Sequence, residues 1–333
     1  MLWSKVEVCG FCLAVMFSWA LGVLIPLNFY AFGQTCQQEV LNDWYFQPMT
    51  EMAGEKLYPD VIIIENDLLQ VLSVPNRGRL LFDIVHKITG NSQLANNRTP
   101  LPLRFRGMYT FEFGGVYTTF PWHKRDNQPL PLEVGEPTNS NMCVTLMEVV
   151  DPETSIQMLA SLELSPTNPE VILNIDLHNP RDHDQVIDIG LVVAARPGGK
   201  ASSEMEVLIP TSTVRIGENE GGWMGEKGTE TTWPMPWSRW GNFNYPGAFY
   251  FDVRKASTPE IIVYNPVSKE SLHIKWESQA PWTTCEIFSW GPNYSQVMGA
   301  YDGFRIELRA EGLKIPANNV QRLKVTFTVG YQG

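Results

Sequence analysis

Glu170-Val-Ile-Leu-Asn-Ile-Asp-Leu-His178 decides the fold class of this chain. Val171, Leu173, Ile175 and Leu177 alternate with Ile172, Asn174, Asp176 and His178. That period of two belongs to a half-buried strand, since successive side chains of an extended chain point to opposite faces. The flanks carry the same signal. Residues 142–150, 155–165 and 185–195 are apolar and β-branched, and the breaks between them are turn chemistry: Asp151-Pro152, Pro166-Thr-Asn-Pro169 and Asn179-Pro180-Arg181-Asp182. These four segments are expected to form a four-strand meander. Outward from them, residues 61–64, 68–74 and 79–86 precede and 261–265, 271–276, 304–310 and 322–331 follow, all read as strands. No helix-period stretch interrupts them, and no repeat of 20 to 50 residues appears, which disfavours a propeller. The expected fold is all-β, a large antiparallel sandwich.

Composition narrows the function. The chain has 333 residues, 44% apolar and 18% charged, enough to build a sizeable core. Its 26 glycines and 24 prolines argue against a helical bundle or solenoid. The net charge is −11 and the lysines and arginines do not cluster, so no nucleic-acid partner is expected.

Residues 8–33 form an uncharged, mostly apolar run behind a short head carrying Lys5 and Glu7. Ala31-Phe32-Gly33 places small residues where a signal peptidase would cut before Gln34. The run is also long enough to span a bilayer as a retained anchor. A buried helix is the third reading. Either of the first two puts the remainder outside the cytoplasm, in the order leader or anchor 1–33, linker 34–59 and β-domain 60–333, with membrane attachment through residues 8–33 if no cut occurs. Cys9 and Cys12 lie inside the apolar run without a partner pair, which excludes a zinc or redox motif. Cys36, Cys143 and Cys285 remain, an odd number; a bridge between Cys143 and Cys285 is compatible with the count, and buried thiols are the simpler expectation.

Two long loop-like stretches, 100–137 and 217–246, hold most of the binding candidates. Trp223, Trp233, Trp237 and Trp240 crowd the second beside Tyr245 and Phe249. Flat rings stack on the C–H faces of sugars, so Trp237 and Trp240 are candidate glycan contacts; the alternative is that such rings plug the open edge of the sandwich. Arg104, Arg106, Trp122 and His123 of the first loop are candidates for sugar hydroxyls or acids. Asp176, His178, Asp182, His183, Asp184 and Asp188 are oxygen-rich, but they surround a strand-to-strand turn where aspartate serves the backbone. No metal and no cofactor is expected. In Phe304-Arg-Ile-Glu-Leu-Arg-Ala310, Arg305, Glu307 and Arg309 share one face of a strand. A carboxylate between two guanidiniums is either a surface ladder or a base in a cleft. There is no nucleophile elbow, zinc-protease helix or phosphate loop.

These motifs, in order, resemble the galactose mutarotase-like superfamily. The resemblance is carried by Val74-Pro-Asn-Arg-Gly-Arg-Leu-Leu-Phe-Asp83 with Lys87-Ile-Thr-Gly90, by Glu112-Phe-Gly-Gly115, by Asn174-Ile-Asp-Leu-His-Asn179, and by Gly303-Phe-Arg-Ile-Glu-Leu-Arg309 with Ile315-Pro-Ala317 and residues 323–329. It implies a β-supersandwich with a sugar-binding cleft, with a mono- or oligosaccharide as partner. In aldose 1-epimerases a late-strand glutamate takes the anomeric proton, and Glu307 matches it, flanked by Arg305. The two histidines of those enzymes have no counterpart: Phe113 precedes the Gly-Gly turn, and Val193-Ala194 stands where an Asn-His pair would be. General acid catalysis commonly contributes 10²–10⁴-fold. The resemblance therefore implies an exported carbohydrate-binding or carbohydrate-processing accessory protein without standard epimerase activity. The alternatives are a sugar-active enzyme using Glu307 as base and a structural envelope protein.

Overall fold

In the computed structural model the alternation in Glu170–Asn179 is realised side chain by side chain: Val171, Leu173, Ile175 and Leu177 are buried and their neighbours are half-exposed. The structure describes residues 35–40, 60–97, 102–105, 108–111, 113–120, 133–134, 138–139, 143–298 and 302–333. The leader or anchor reading of residues 1–33 lies outside them. No helix among the described residues is long and apolar enough to cross a membrane.

Among the described residues a 12-stranded sheet faces a 9-stranded sheet. The larger runs from Thr35–Val40 through Asp60–Glu65, Leu69–Val74, Arg79–His86 and Val116–Thr118 to Gln185–Ala195, then through Phe304–Ile315, Thr284–Ser289, Gly247–Asp252 and Thr213–Asn219 to Glu230–Thr232. The smaller is centred on Glu170–Asn179, Asn319–Tyr331 and Glu270–Trp276 and ends at Glu206–Leu208. All registered pairs are antiparallel. One large apolar core takes side chains from the facing sides of both sheets, including Leu173, Ile175, Ile306, Leu308, Phe304 and Phe327. Burying each such side chain contributes roughly 1.5–3 kcal/mol.

Two sequence expectations need correction. The meander has three of its four strands; Gln185–Ala195 leaves it and pairs with Phe304–Ile315 and Val116–Thr118 in the other sheet. The reason is legible in its burial. Residues 189–195 are buried throughout, whereas Glu170–Asn179 shows one wet face. A strand apolar on both faces belongs where both faces are covered. Asn179 makes the crossing: its side-chain amide donates to the carbonyls of His183, Ile315 and Pro316 at 2.9, 3.0 and 3.1 Å, and its oxygen accepts from the Arg181 amide. Second, Thr35–Val40 is a strand paired with Asp60–Glu65, so the larger sheet already begins inside the stretch read as linker. Cys285 is a free, buried thiol, the simpler of the two expectations for it, and burial pushes its ionisation up.

The acidic cluster resolves into separate partners. Asp176 accepts two bonds from Arg322 at 2.7 and 2.9 Å, Asp184 holds Lys314 at 2.6 Å, and Asp188 accepts from the Gly312 amide. The two sheets are also tied through Glu270, which is wholly buried in the smaller sheet. Its carboxylate accepts from Thr89 Oγ1 at 2.6 Å, Asn91 Nδ2 at 2.7 Å and Gln93 Nε2 at 3.1 Å, and lies 3.2 Å from His86 Nδ1. All four partners lie between His86 and Gln93, from the end of the Arg79–His86 strand through the turn after it to the short Asn91–Ser92 strand and the residue that follows.

Candidate functional site

The strand Phe304–Ile315 sends Phe304, Ile306, Leu308 and Ala310 into the core and therefore presents Arg305, Glu307 and Arg309 on the outer face of the larger sheet. Register then decides their neighbours. Glu307 stands opposite Val192 on one side and Glu286 on the other, and the row continues through Tyr117 beyond Val192 and through Tyr250 and Arg215 beyond Glu286. Two carboxylates directly across a strand pair repel. Both are nearly buried, Glu286 7% and Glu307 5% exposed, so water does little to screen them.

The two arginines resolve the conflict, because residues two places either side of Glu307 on the same face reach both acids. Arg305 donates from Nη2 to Glu307 Oε2 at 2.7 Å and from Nη1 to Glu286 Oε1 at 3.2 Å. Arg309 Nη2 reaches Glu286 Oε2 at 2.5 Å and Glu307 Oε2 at 3.0 Å. Arg309 Nε lies 3.0 Å from Glu307 Oε1, within ion-pair range but without hydrogen-bond geometry. The result is a four-membered array with no net charge. Burial pushes the Glu307 carboxyl up, but the charges and hydrogen bonds of Arg305 and Arg309 outweigh it and hold the group below its ordinary value. Tyr250 completes the flank. Burial first, then the Glu286 charge and its hydrogen bond, push the phenol up to about 12.

Gly190 makes room for the array. It stands opposite Arg309, and a Cβ there would come 2.6 Å from Glu307 Oε1 and 2.9 Å from Thr119 Oγ1, whose hydroxyl oxygen accepts the Gly190 amide at 2.7 Å. Glu307 cannot simply swing away, because two guanidiniums hold it. Gly190→Ala is therefore expected to destabilise the protein by roughly 1–3 kcal/mol, the range for overpacking, as read in a thermal melt. An unchanged melt would show that the array has slack.

The structure brings Arg305 and Glu307 together and separates them from the tryptophans. Trp237 and Trp240 are buried in the main core, 5% and 7% exposed, and present no ring face to a ligand. Trp233 stacks on Phe249 with ring centres 5.0 Å apart, and Trp237 packs on the same ring at 4.8 Å. The stretch 217–246 is thus the plug at the sandwich edge, tied by short turns at Pro236–Ser238 and Trp240–Asn242. Arg104 lies on the strand Pro102–Phe105, whose side chains, like Arg106, Trp122 and His123, fall outside what is described. Phe113 and Ala194 are both buried. Phe113 sits in an apolar cluster with Val61, Ile63, Leu72, Val74 and Phe82, and Ala194 stands in register with Arg305 against Ala95. Sequence reasoning missed Glu286, Tyr250 and Gly190. Glu286 was visible as a lone charge inside the apolar strand Thr284–Ser289, and Gly190 as a glycine within an apolar strand, which marks a close approach.

No family model matches the sequence, and no curated protein matches it. Solved structures do resemble the fold. A TPR-domain containing protein from Parabacteroides distasonis superposes with a TM-score of 0.69 at 11% identity over 89% of this chain, which spans 55% of that one. A galactose mutarotase-like protein from Clostridium acetobutylicum gives 0.56 at 11% identity, covering 90% of this chain and 99% of that one. A galactose mutarotase related enzyme from Lactobacillus acidophilus gives 0.54 at 11% identity, covering 81% and 97%. With the two facing antiparallel sheets and the order of their strands, these likenesses establish that the chain has the galactose mutarotase-like β-supersandwich fold.

Proposed function

We propose that this chain binds a saccharide on the outer face of its larger sheet and does not catalyse standard aldose 1-epimerisation. We further propose that it works outside the cytoplasm, behind residues 1–33 as a leader or anchor. The observation that carries the first reading is the uncharged array of two carboxylates and two guanidiniums. A sugar hydroxyl both donates and accepts, and the Arg305 and Arg309 guanidiniums, whose side chains are 21% and 29% exposed beside the nearly buried acids, offer donors to hydroxyl oxygens. Phe288, in register with Arg305, and Tyr250 add ring faces on the same side. The fold's likeness to galactose mutarotase-like proteins supports the same ligand class.

Catalysis is disfavoured by the same array. A general base works best with a pKa near the operating pH. Glu307 is held well away from that, fully ionised and tied to Arg305 and Arg309. The positions at which the resemblance asks for imidazoles hold a phenyl ring and a methyl group. Optical rotation of freshly dissolved galactose and glucose is expected to relax at nearly the uncatalysed rate, while calorimetry against a panel of mono- and oligosaccharides shows binding. Robust mutarotation that Glu307→Gln abolishes would overturn the non-enzymatic reading. Failure of every saccharide to bind would overturn the ligand class.

A further inference from the structure

Three concavities adjoin one another beside the array. The first, about 320 Å³, is lined by Arg309 of the array together with Tyr250, Arg215 and Thr284. The second, about 280 Å³, shares Arg215, Tyr250 and Thr284 with it and adds Thr211, Thr213 and Lys255. The third, about 1070 Å³, shares Thr211, Thr213 and Lys255 with the second and extends over Trp233, Pro234 and Pro236. The shared walls make one groove. It starts at Arg309, crosses the ends of the strands Thr284–Ser289, Gly247–Asp252 and Thr213–Asn219, and opens at the sandwich edge where the Glu206–Leu208 strand ends the smaller sheet.

We infer that this groove makes the protein a receptor for a chain of sugars rather than for a single ring, an inference that rests on the saccharide reading of the array. Three features point there. A pocket for one small molecule measures about 300–1,000 Å³, and the concavity beside Arg309 is at the bottom of that range, so the wide third concavity is surplus to a monosaccharide. The groove's middle is walled by hydroxyls of Thr211, Thr213 and Thr284, which match sugar hydroxyls and repel neither sign of charge. Its far end offers the exposed apolar rings of Pro234 and Pro236, surfaces of the kind that pack on sugar C–H faces. Charge does not select the chain. Arg215, Lys227 and Lys255 are interleaved with Glu230 and Glu311 along the walls, and the remaining charges there are paired, Arg239 with Glu206, Arg254 with Asp252 and Arg309 with Glu286. Shape and hydroxyl pattern are left to do so. The Trp-rich stretch would then contribute to binding through its prolines, while Trp233, Trp237 and Trp240 hold the stretch in place.

The test is chain length. Calorimetry would use monosaccharides and the matching di- to hexasaccharides of the malto, cello, xylo, manno and galacturono series, with wild-type protein and with Thr213→Trp. Thr213 is exposed in the middle of the groove and away from the array, so an indole there fills the passage without touching Glu307. At least one series is expected to gain tenfold or more in affinity between one and four units, and Thr213→Trp is expected to return the longer members to the affinity of the monosaccharide. Equal affinity at every length in wild-type protein would overturn the groove and leave the array as a monosaccharide site. A gain with length that Thr213→Trp does not reduce would also overturn it, because the chain would then run elsewhere. If no sugar of any length binds, the saccharide reading itself falls. A thermal melt of the variant guards against misfolding, and Thr213→Arg is a second block should the indole unfold the domain.

Discussion

Replacing Glu270 with alanine is expected to destabilise the protein by about 3–5 kcal/mol, the range for removing one member of a buried, hydrogen-bonded ionic group. The carboxylate is the common acceptor for Thr89, Asn91, Gln93 and His86, and the substitution leaves all four facing a void. Because those groups belong to the larger sheet and Glu270 to the smaller, the loss falls on the seam between sheets. Glu270→Gln keeps the shape and one acceptor and is expected to lose less than half as much. Urea denaturation followed by tryptophan fluorescence measures both. A shift under about 1 kcal/mol for Glu270→Ala would mean that water replaces the carboxylate readily and that the seam is held elsewhere.

Arg309→Met should produce the second large effect, and its sign depends on pH. In the wild type Glu307 is held below the ordinary carboxylate value, so the array's contribution is fully present above the unfolded value of about 4.3 and is lost as pH falls through the lower folded one. Without Arg309, two buried carboxylates face each other with one guanidinium between them. One of them must then be raised above the ordinary value. Ionising it at pH 7 makes the variant less stable by about 2–4 kcal/mol, a penalty that shrinks as pH falls through the raised value. The gap between wild type and variant is therefore expected to narrow from pH 7 to pH 5, where the wild type has not yet lost its own contribution. A gap independent of pH would show that Arg309 acts through packing on Tyr250, over which its guanidinium lies 5.8 Å from the ring centre, and not through charge.

Much of this architecture was readable before any coordinates, because period-two alternation reports burial directly. Glu170–Asn179, Arg79–His86 and Phe304–Ile315 sit where their patterns put them, and Arg305, Glu307 and Arg309 share the face that alternation assigns. Alternation is silent about partners. It cannot say that Gln185–Ala195 changes sheets, nor that Glu286 comes to lie beside Glu307 from 21 positions away, since register between distant strands is a property of the whole sheet. The tryptophans misled for a related reason. Their density signals a functional stretch, but an indole serves a core as readily as a ligand, and only the packing of Trp233 and Trp237 on Phe249 distinguishes the two. The residues that stand in for the absent imidazoles were visible as identities. That they lie on apolar parts of the Glu307 face was not.

The strand Asn319–Tyr331 lies between Glu170–Asn179 and Glu270–Trp276, and Phe304–Ile315 lies between Gln185–Ala195 and Thr284–Ser289. Each sheet therefore has its keystone near the C-terminal end of the sequence. A chain still being synthesised holds Glu170–Asn179 and Gln185–Ala195 with one edge open apiece, and more than a hundred residues must follow before either edge is closed. Those edges are apolar and unpaired during that interval, the condition in which strands seek foreign partners. Loss of the last fifteen residues would thus do more than shorten a strand. It would leave the smaller sheet in two halves and place aggregation, rather than reduced activity, first among the consequences of truncation.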